Sequence, residues 1–233
     1  MLGPLARRFA NLAFGGSCYL CRGAADAVLC AACDADLPRL AGPRCPRCAL
    51  ASPAGEVCGR CLARPPAFDA TVAALAYAFP ADVLVQALKF RGELALAPLL
   101  GRLLAARLER AARVDVVLPV PLSAARLRAR GFNQALEIAR HLGPDGGARL
   151  EPRLAERGRD TAAQMDLPHA ERAKNVRGAF RCARALEGAA VALVDDVMTT
   201  GATLDELAAT LKRAGAARVV NWVLARTPAP ADA

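Results

Sequence analysis

The sequence predicts an α/β fold, a mostly parallel sheet flanked by helices, preceded by a small cysteine-rich region. Three observations carry that prediction. Beyond residue 67, short apolar runs of strand length alternate with longer stretches of helical periodicity. Ahead of it, eight of the nine cysteines fall into four identical C-x-x-C pairs. Near the end, the run "VALVDDVMTTGAT" (Val191 to Thr203) places two adjacent carboxylates where a buried strand should stop.

The front segment, residues 1–66, is read as a double zinc ribbon. Its pairs are Cys18/Cys21, Cys30/Cys33, Cys45/Cys48 and Cys58/Cys61, with Gly and Pro in the gaps. Two thiolates separated by two residues grip one Zn²⁺ from a single tight turn, and two such turns complete a closed tetrahedral site. A catalytic zinc is not expected, because four sulfurs leave no position for water. Disulfides belong to oxidising compartments, and "MLGPLARRFANLAFGGSC" lacks the continuous apolar core of an export signal. That segment reads instead as a short helix packed on the body. The expectation is two structural zinc ions, paired sequentially (18/21 with 30/33, 45/48 with 58/61), although spacing alone also permits crossed pairing.

Metal also alters the charge argument. The formal charge of the chain is +9. Eight thiolates and two divalent ions together subtract four charges, so the whole falls to +5 and residues 1–66 fall from +4 to zero. The head is therefore not an obvious nucleic-acid patch. No stretch reads as membrane-spanning: the most apolar one, Asp69 to Leu88, is interrupted by Pro80 and Asp82. The chain is expected to be cytoplasmic, without membrane insertion.

"LARPPAFD" (Leu62 to Asp69) reads as a linker. The second domain is placed at 67–227 and a disordered tail at 228–233. "ATVAALAYAF" has strand character; "PADVLVQALKF" and "ELALAPLLGRLLAARLERA" repeat Leu at helical spacings. "VDVVLPVP" is a buried strand ended by prolines. "SAARLRARG" and "FNQALEIARHLG" read as helices, "AAVALVDDV" as the next buried strand, "TLDELAATLKRAGA" as an amphipathic helix and "RVVNWVLAR" as a last strand. Fully apolar strands alternating with helices point to a parallel sheet covered on both faces.

In such sheets, ligands sit at the carboxyl ends of the strands. Asp195 and Asp196 fall there, followed by a loop that feeds a helix near Thr203. Backbone N–H groups of such a loop and helix start carry partial positive charge and cradle phosphate. Gly201 permits the sharp turn, and Thr199, Thr200 and Thr203 offer hydroxyls. Acceptors for sugar hydroxyls thus stand beside donors for a phosphate, the two halves of a ribose 5-phosphate.

Those thirteen residues resemble the phosphoribosyl diphosphate (PRPP) signature of type I phosphoribosyltransferases. That likeness implies that Asp195 and Asp196 bind the ribose hydroxyls, that Val197, Met198, Thr199, Thr200, Gly201, Ala202 and Thr203 wrap the 5-phosphate, and that Mg²⁺ accompanies PRPP. The cysteine-rich head, "LKFRGELALA" (Leu88 to Ala97), "LPVPLSAARLRARGFNQA" (Leu118 to Ala135) and "ERAKNVRGAF" (Glu171 to Phe180) together resemble the competence protein F (ComF/GntX) family. The resemblance implies a type I phosphoribosyltransferase-like sheet. A pyrophosphate loop then falls at Val120, Pro121 and Leu122, with Arg130 the selected cation of the cluster Arg126, Arg128 and Arg130. Alternate positions cannot share one helical face, so at least one of the three should be solvated. Lys89 is a further diphosphate candidate. Arg159, Thr161 and Gln164 are expected in a mobile loop closing over PRPP, with Arg172, Lys174 and Arg177 behind.

No P-loop and no G-x-S-x-G element competes. Two readings of function stay open. One is a transferase that expels pyrophosphate from PRPP; the sequence presents no clear general base for an acceptor. The other is an accessory protein of DNA uptake or DNA utilisation, handling single-stranded DNA or docking competence and DNA-processing partners through the zinc head. With one Trp and two Tyr, base-stacking platforms are scarce.

Overall fold

The computed structural model describes residues 16–108, 113–143, 148–158 and 176–229. Two short helices, α1 (Ala31–Ala35) and α2 (Gly59–Ala63), lie in the cysteine-rich head. The body runs β1 (Ala70–Ala76), α3 (Ala81–Arg91), a 3-10 turn (Leu94–Leu96), α4 (Ala97–Leu108), β2 (Val116–Pro119), α5 (Ala124–Arg130), α6 (Gln134–Ala139) and β3 (Arg149–Leu150). It continues with β4 (Ala155–Arg157), β5 (Phe180–Cys182), β6 (Ala190–Met198), α7 (Ala202–Arg213) and β7 (Arg218–Arg226).

Five strands form one sheet in the order β1-β7-β6-β2-β3, and every neighbouring pair is parallel. The parallel, helix-flanked architecture is the one expected from the sequence. A separate antiparallel hairpin joins β4 to β5. It brackets residues 159–175, so the expected positions of Arg159, Thr161, Gln164, Arg172 and Lys174 lie outside the described residues.

Side-chain alternation divides the core in two. Ala192, Val194, Val220, Trp222 and Leu224 face one side, packing with α3, α4 and α6. Val191, Leu193, Val219 and Val223 face the other, against α7. Period-two alternation along strands buried on both faces produces this division. On α7, Leu204, Leu207, Ala208 and Leu211 make one buried stripe at helical spacing. Each leucine there contributes about 1.5–3 kcal/mol by leaving water. Gly101 on α4 lets the α6 end approach, since a Cβ there would stand 2.5 Å from the His141 Cβ. The predicted long helix from Glu93 starts instead as a 3-10 turn and becomes α-helical at Ala97.

The head clamps the free edge of the sheet. Arg39 bridges Leu75 in antiparallel fashion, the Leu40 N–H donates to the Ala74 carbonyl at 3.0 Å, and the Ala76 N–H donates to the Pro38 carbonyl at 2.8 Å. Unpaired edge groups of β1 are thereby satisfied. Cys18, Tyr19, Val28 and Leu29 join the core on one face, while Cys45, Cys48 and Cys61 join it on the other. The head thus shares apolar burial with the body. No helix among the described residues is long and apolar enough to cross a membrane.

Candidate functional site

The chain steps from β2 to β3 toward one edge of the sheet and from β6 to β7 toward the other. The topological switch point therefore lies between β2 and β6, and a crevice opens beyond their carboxyl ends. A cavity of about 180 Å³ occupies that crevice. It is smaller than the roughly 300–1,000 Å³ usual for drug-sized ligands, which suits a compact polar molecule.

One wall is the turn from β6 into α7. Val197, Met198, Thr199, Gly201, Ala202 and Thr203 all line the cavity. Gly201 caps α7 with φ 86°, and an added Cβ would meet Met198 Cε at 2.6 Å. The left-handed backbone favours glycine, and any added Cβ would also have to displace the Met198 methyl. Thr200 accepts a hydrogen bond from the Ala202 N–H at 3.1 Å. It lines a neighbouring groove with Met198, Gly201 and Ala202 and with Cys48, Arg60 and Arg64, rather than the cavity itself.

The opposite wall comes from β2, α5 and α6. Val120, Pro121 and Leu122 line the cavity. The Val120 N–H is committed to the Val194 carbonyl at 2.9 Å, and its own carbonyl accepts from Asn133 Nδ2 at 3.0 Å. Proline has no N–H, so Leu122 is the residue of this trio left to offer an amide. Arg126 and Arg130, four apart on α5, both reach the cavity, whereas Arg128 is exposed elsewhere. Helical spacing alone sorts the three.

The floor holds the acidic pair. Asp196 is 3% exposed and Asp195 is half-buried. Lys89, from the last turn of α3, meets Asp196 Oδ2 at 2.8 Å. Gln134 Nε2 donates to Asp196 Oδ1 at 3.4 Å, and Arg130 donates to the Gln134 side-chain oxygen. Burial would push Asp196 up; the Lys89 ammonium, the Asp195 carboxyl and the Gln134 amide outweigh it and hold Asp196 below the usual carboxylate range. Burial would likewise lower Lys89, and the Asp196 charge more than reverses that. Asp195 goes the other way: burial first, then the neighbouring Asp196 charge, push it well above its ordinary value. The pair is thus split into a fixed anion and a readily protonated partner, a pattern typical of functional sites.

Asp195 thereby lowers stability at neutral pH. Its folded-state pKa is raised, so the unfolded chain binds fewer protons and stability falls as pH rises from about 4 toward the folded value. Asp195→Asn is expected to raise the melting temperature at pH 7 by about 2–4 °C and to flatten that part of the pH–stability profile. Thermal melts from pH 4 to 8 check it; an unchanged or lower melting temperature at pH 7 would count against the buried repulsion.

Sequence reasoning missed four lining residues, the apolar Leu204 and three with polar or aromatic side chains. Gln134 is 4% exposed and bridges Arg130 to Asp196. Phe90 is 58% exposed at the cavity mouth, with Lys89 and Arg130 at 5.9 and 5.8 Å from its ring centre. Arg157, from β4, is 8% exposed and stacks over Phe180. Gln134 and Phe90 sat inside the quoted motifs "RGFNQA" and "LKFRGE" without chemistry of their own to mark them. Arg157 is carried in by a hairpin that has no strong sequence signal.

The cysteines form two clusters, Cys18/Cys21/Cys30/Cys33 and Cys45/Cys48/Cys58/Cys61, with all sulfurs in each within 4.8 Å of one another. Pairing is sequential. Tetrahedral sulfur ligands at about 2.3 Å from zinc stand about 3.8 Å apart. Cys21 Sγ and Cys30 Sγ are 3.8 Å apart, and Cys48 Sγ and Cys58 Sγ 3.6 Å, so the spacing and the four-thiol donor set fit Zn²⁺. Cys182 stands apart; its thiol donates to the Arg184 carbonyl at 3.2 Å.

The model of the double zinc ribbon domain matches residues 9–62. The DNA utilization protein YhgH of Salmonella typhi is 36% identical over 224 residues, covering 91% of this chain and 97% of its own. Competence protein F of Haemophilus influenzae is 32% identical over 159 residues, covering 64% of this chain and 69% of its own. The chain belongs to the competence protein F (ComF) family. Among solved structures, a purine phosphoribosyltransferase from Pyrococcus horikoshii Ot3 overlaps 70% of this chain and 83% of its own at 20% identity, with a TM-score of 0.33. So loose an overlap adds nothing to the assignment. Within this ComF chain, the two four-cysteine zinc sites pack on opposite faces of the sheet whose strand ends open the cavity.

Proposed function

We propose that the cavity binds the ribose 5-phosphate portion of PRPP together with Mg²⁺, in a cytoplasmic protein that serves DNA utilisation or competence. The observation that supports it most is the placement of the Gly201 turn and the acidic pair on one cavity at the switch point. The amides of the α7 start would take the 5-phosphate. Asp195, which makes no ion pair among the described residues, would take the ribose diol. Arg126 and Arg130 would face the diphosphate. The names of the relatives support the DNA context, and eight cysteines grouped in fours as thiolate metal sites support a reducing compartment.

Mg²⁺, when bound with the diphosphate, would neutralise charge on the leaving group, and Asp195 is the carboxylate placed to assist it. In a transferase, the C1–O bond to pyrophosphate breaks while positive charge grows on C1 and the ring oxygen. Asp195 in its anionic form would face that charge, and the two arginines would hold the departing diphosphate. Lys89 keeps Asp196 anionic and fixed, so its part is positioning.

One feature favours the accessory reading. The exposed Phe90 ring, flanked by two cations at the mouth, offers a stacking surface for a nucleobase attached to the held sugar phosphate. A 5-phosphorylated end of single-stranded DNA would meet that description.

Calorimetric titration with Mg²⁺-PRPP tests the site. The wild-type protein is expected to bind, and the Asp195→Asn/Asp196→Asn variant to bind at least ~100-fold more weakly, the order of effect of losing charged hydrogen bonds to two hydroxyls. No heat with the wild type would reject the PRPP reading. Pyrophosphate release on addition of nucleobases then distinguishes transferase from accessory protein.

A further inference from the structure

Arg226 ends β7, the strand between β1 and β6. It is 2% exposed, and no ligand role was assigned to it. Its guanidinium gathers backbone carbonyls from separate parts of the fold. Nε donates to the Cys48 carbonyl at 2.8 Å, and Nη1 donates to Met198 at 2.8 Å, to Thr199 and to Thr227 at 2.9 Å. Cys48 belongs to the second metal cluster, while Met198 and Thr199 open the turn proposed to hold phosphate.

We propose that Arg226 couples the second zinc knuckle to the phosphate loop, so that metal held by Cys45, Cys48, Cys58 and Cys61 sets the shape of the ligand site. A trans peptide points its C=O and the following N–H in opposite directions. Fixing the Met198 and Thr199 carbonyls on Arg226 therefore aims the Thr199 and Thr200 N–H groups away from the guanidinium. Charge-assisted bonds to those carbonyls also polarise the same peptide units, strengthening their N–H groups as donors. The Cys48 end of the contact is held only while its knuckle is folded around metal. A zinc cluster carrying four thiolates is a net dianion, so a guanidinium beside it is electrostatically matched as well as hydrogen-bonded. The first cluster packs on the opposite face of the sheet and makes no such contact among the described residues. The two zincs are thus unequal: the second bears on the phosphate loop, whereas the first knuckle meets α3, where Arg91 donates to the Tyr19 hydroxyl at 3.0 Å.

The coupling gives the head a role in ligand binding, and it is reciprocal: ligand in the loop should slow loss of the second zinc. Its effect on ligand affinity rests on the proposed phosphate role of the loop. Its structural arm does not, and can be measured on the zinc-loaded full chain without ligand. Hydrogen–deuterium exchange of residues 197–203 is the readout, with strand residues 190–194 as the internal standard. Zinc transfer to a colorimetric chelator is followed in parallel.

Arg226→Met is expected to speed loop exchange about 10-fold or more and to hasten release of one zinc but not the other. Arg226→Lys, whose ammonium cannot reach carbonyls on both sides at once, should give an intermediate result. Cys58→Ser should loosen the loop, and Cys30→Ser should leave it unchanged. Unaltered loop exchange in Arg226→Met, or equal loosening by Cys30→Ser and Cys58→Ser, would overturn the coupling. If Arg226→Met loses protection at 190–194 as well, the comparison of the two cysteine variants decides. Failure of wild type to bind Mg²⁺-PRPP would reject the phosphoribosyl reading and leave these exchange results standing.

Discussion

Cys18→Ser is expected to reduce the metal content from two zinc ions per chain to one and to lower the melting temperature by ~10 °C or more. Cys18 is fully buried, and its sulfur is one corner of the first cluster. Burial opposes ionisation of this thiol, but N–H groups of Cys21, Cys30 and Leu20 outweigh it and bring the pKa down to about 6. Cys33 in the same cluster is pushed up to about 12 by burial and by hydrogen bonds with Cys30 and Cys18. Four crowded thiols cannot all ionise without a cation among them; Zn²⁺ removes that conflict and supplies folding energy. A hydroxyl at position 18 ligates zinc poorly and leaves the other three sulfurs in conflict. Structural zinc contributes up to about 10–16 kcal/mol in isolated fingers. Here the knuckle also leans on Tyr19, Val28 and Leu29 in the main core, so only part of that is lost. At about 2–4 °C per kcal/mol for a chain of this size, a loss of about 4 kcal/mol gives the stated shift. Elemental analysis with calorimetry checks it. Two zincs per chain and an unchanged melt would remove the structural role assigned to that cluster.

Lys89→Met should be the most damaging single change within the cavity, costing about 2–4 kcal/mol. The Lys89–Asp196 pair is 2.8 Å long, with side chains 22% and 4% exposed. Truncating the cation leaves a buried carboxylate with only the weak Gln134 amide and the adjoining Asp195 carboxyl, and it must either stay charged at high cost or take up a proton. Both shifts indicate where this stability applies. Asp196 is lowered, so its contribution is present above about pH 4 and is lost as pH falls through the folded value. Lys89 is raised, so its contribution is present below about pH 10.5 and is lost as pH rises through its folded value. The pair therefore acts across the whole neutral range, and the Lys89→Met penalty should shrink as pH drops toward 4. Asp196→Asn combined with Lys89→Met should recover at least half of the loss, because the carboxylate stranded by the single variant is then gone. Urea unfolding of the two single variants and the double checks the cycle. Purely additive losses would mean that the pair is solvated rather than buried.

Much of this was legible in one dimension. The four C-x-x-C pairs declare metal because cysteine spacing is a local property of a turn. The parallel sheet follows from strands apolar at every position, such as Val116 to Leu118 and Val191 to Val194. The thirteen residues around Asp195 combine strand, acids, turn and helix start in one continuous segment, so they mark one wall of the cavity without knowledge of the rest. Helical spacing showed that Arg126, Arg128 and Arg130 cannot share one face; that Arg126 joins Arg130 at the cavity was read from the structure.

Other features depend on segments far apart in sequence. Lys89 was read as a diphosphate contact, yet its nearest anion is Asp196, 107 positions away. Gln134 and Arg226 carry no motif of their own and acquire meaning through what the fold brings to them. Sequential zinc pairing, open on spacing alone, is decided by which turns face each other.

The sequence by itself determined the classes of chemistry: thiolate metal sites in front, and behind them a sheet whose strand end bears paired acids and a threonine-glycine turn into a helix. Only the tertiary structure decided how these parts meet. Strand order places β2 beside β6 and so makes a cavity of two distant loops, and the head folds over the β1 edge so that each knuckle enters a different face of the core. The physical reason is the range of the forces involved. Turn geometry, side-chain periodicity and capping act over a few residues and leave local traces. Ion pairs and shared burial act through space, between positions whose separation along the chain carries no signal.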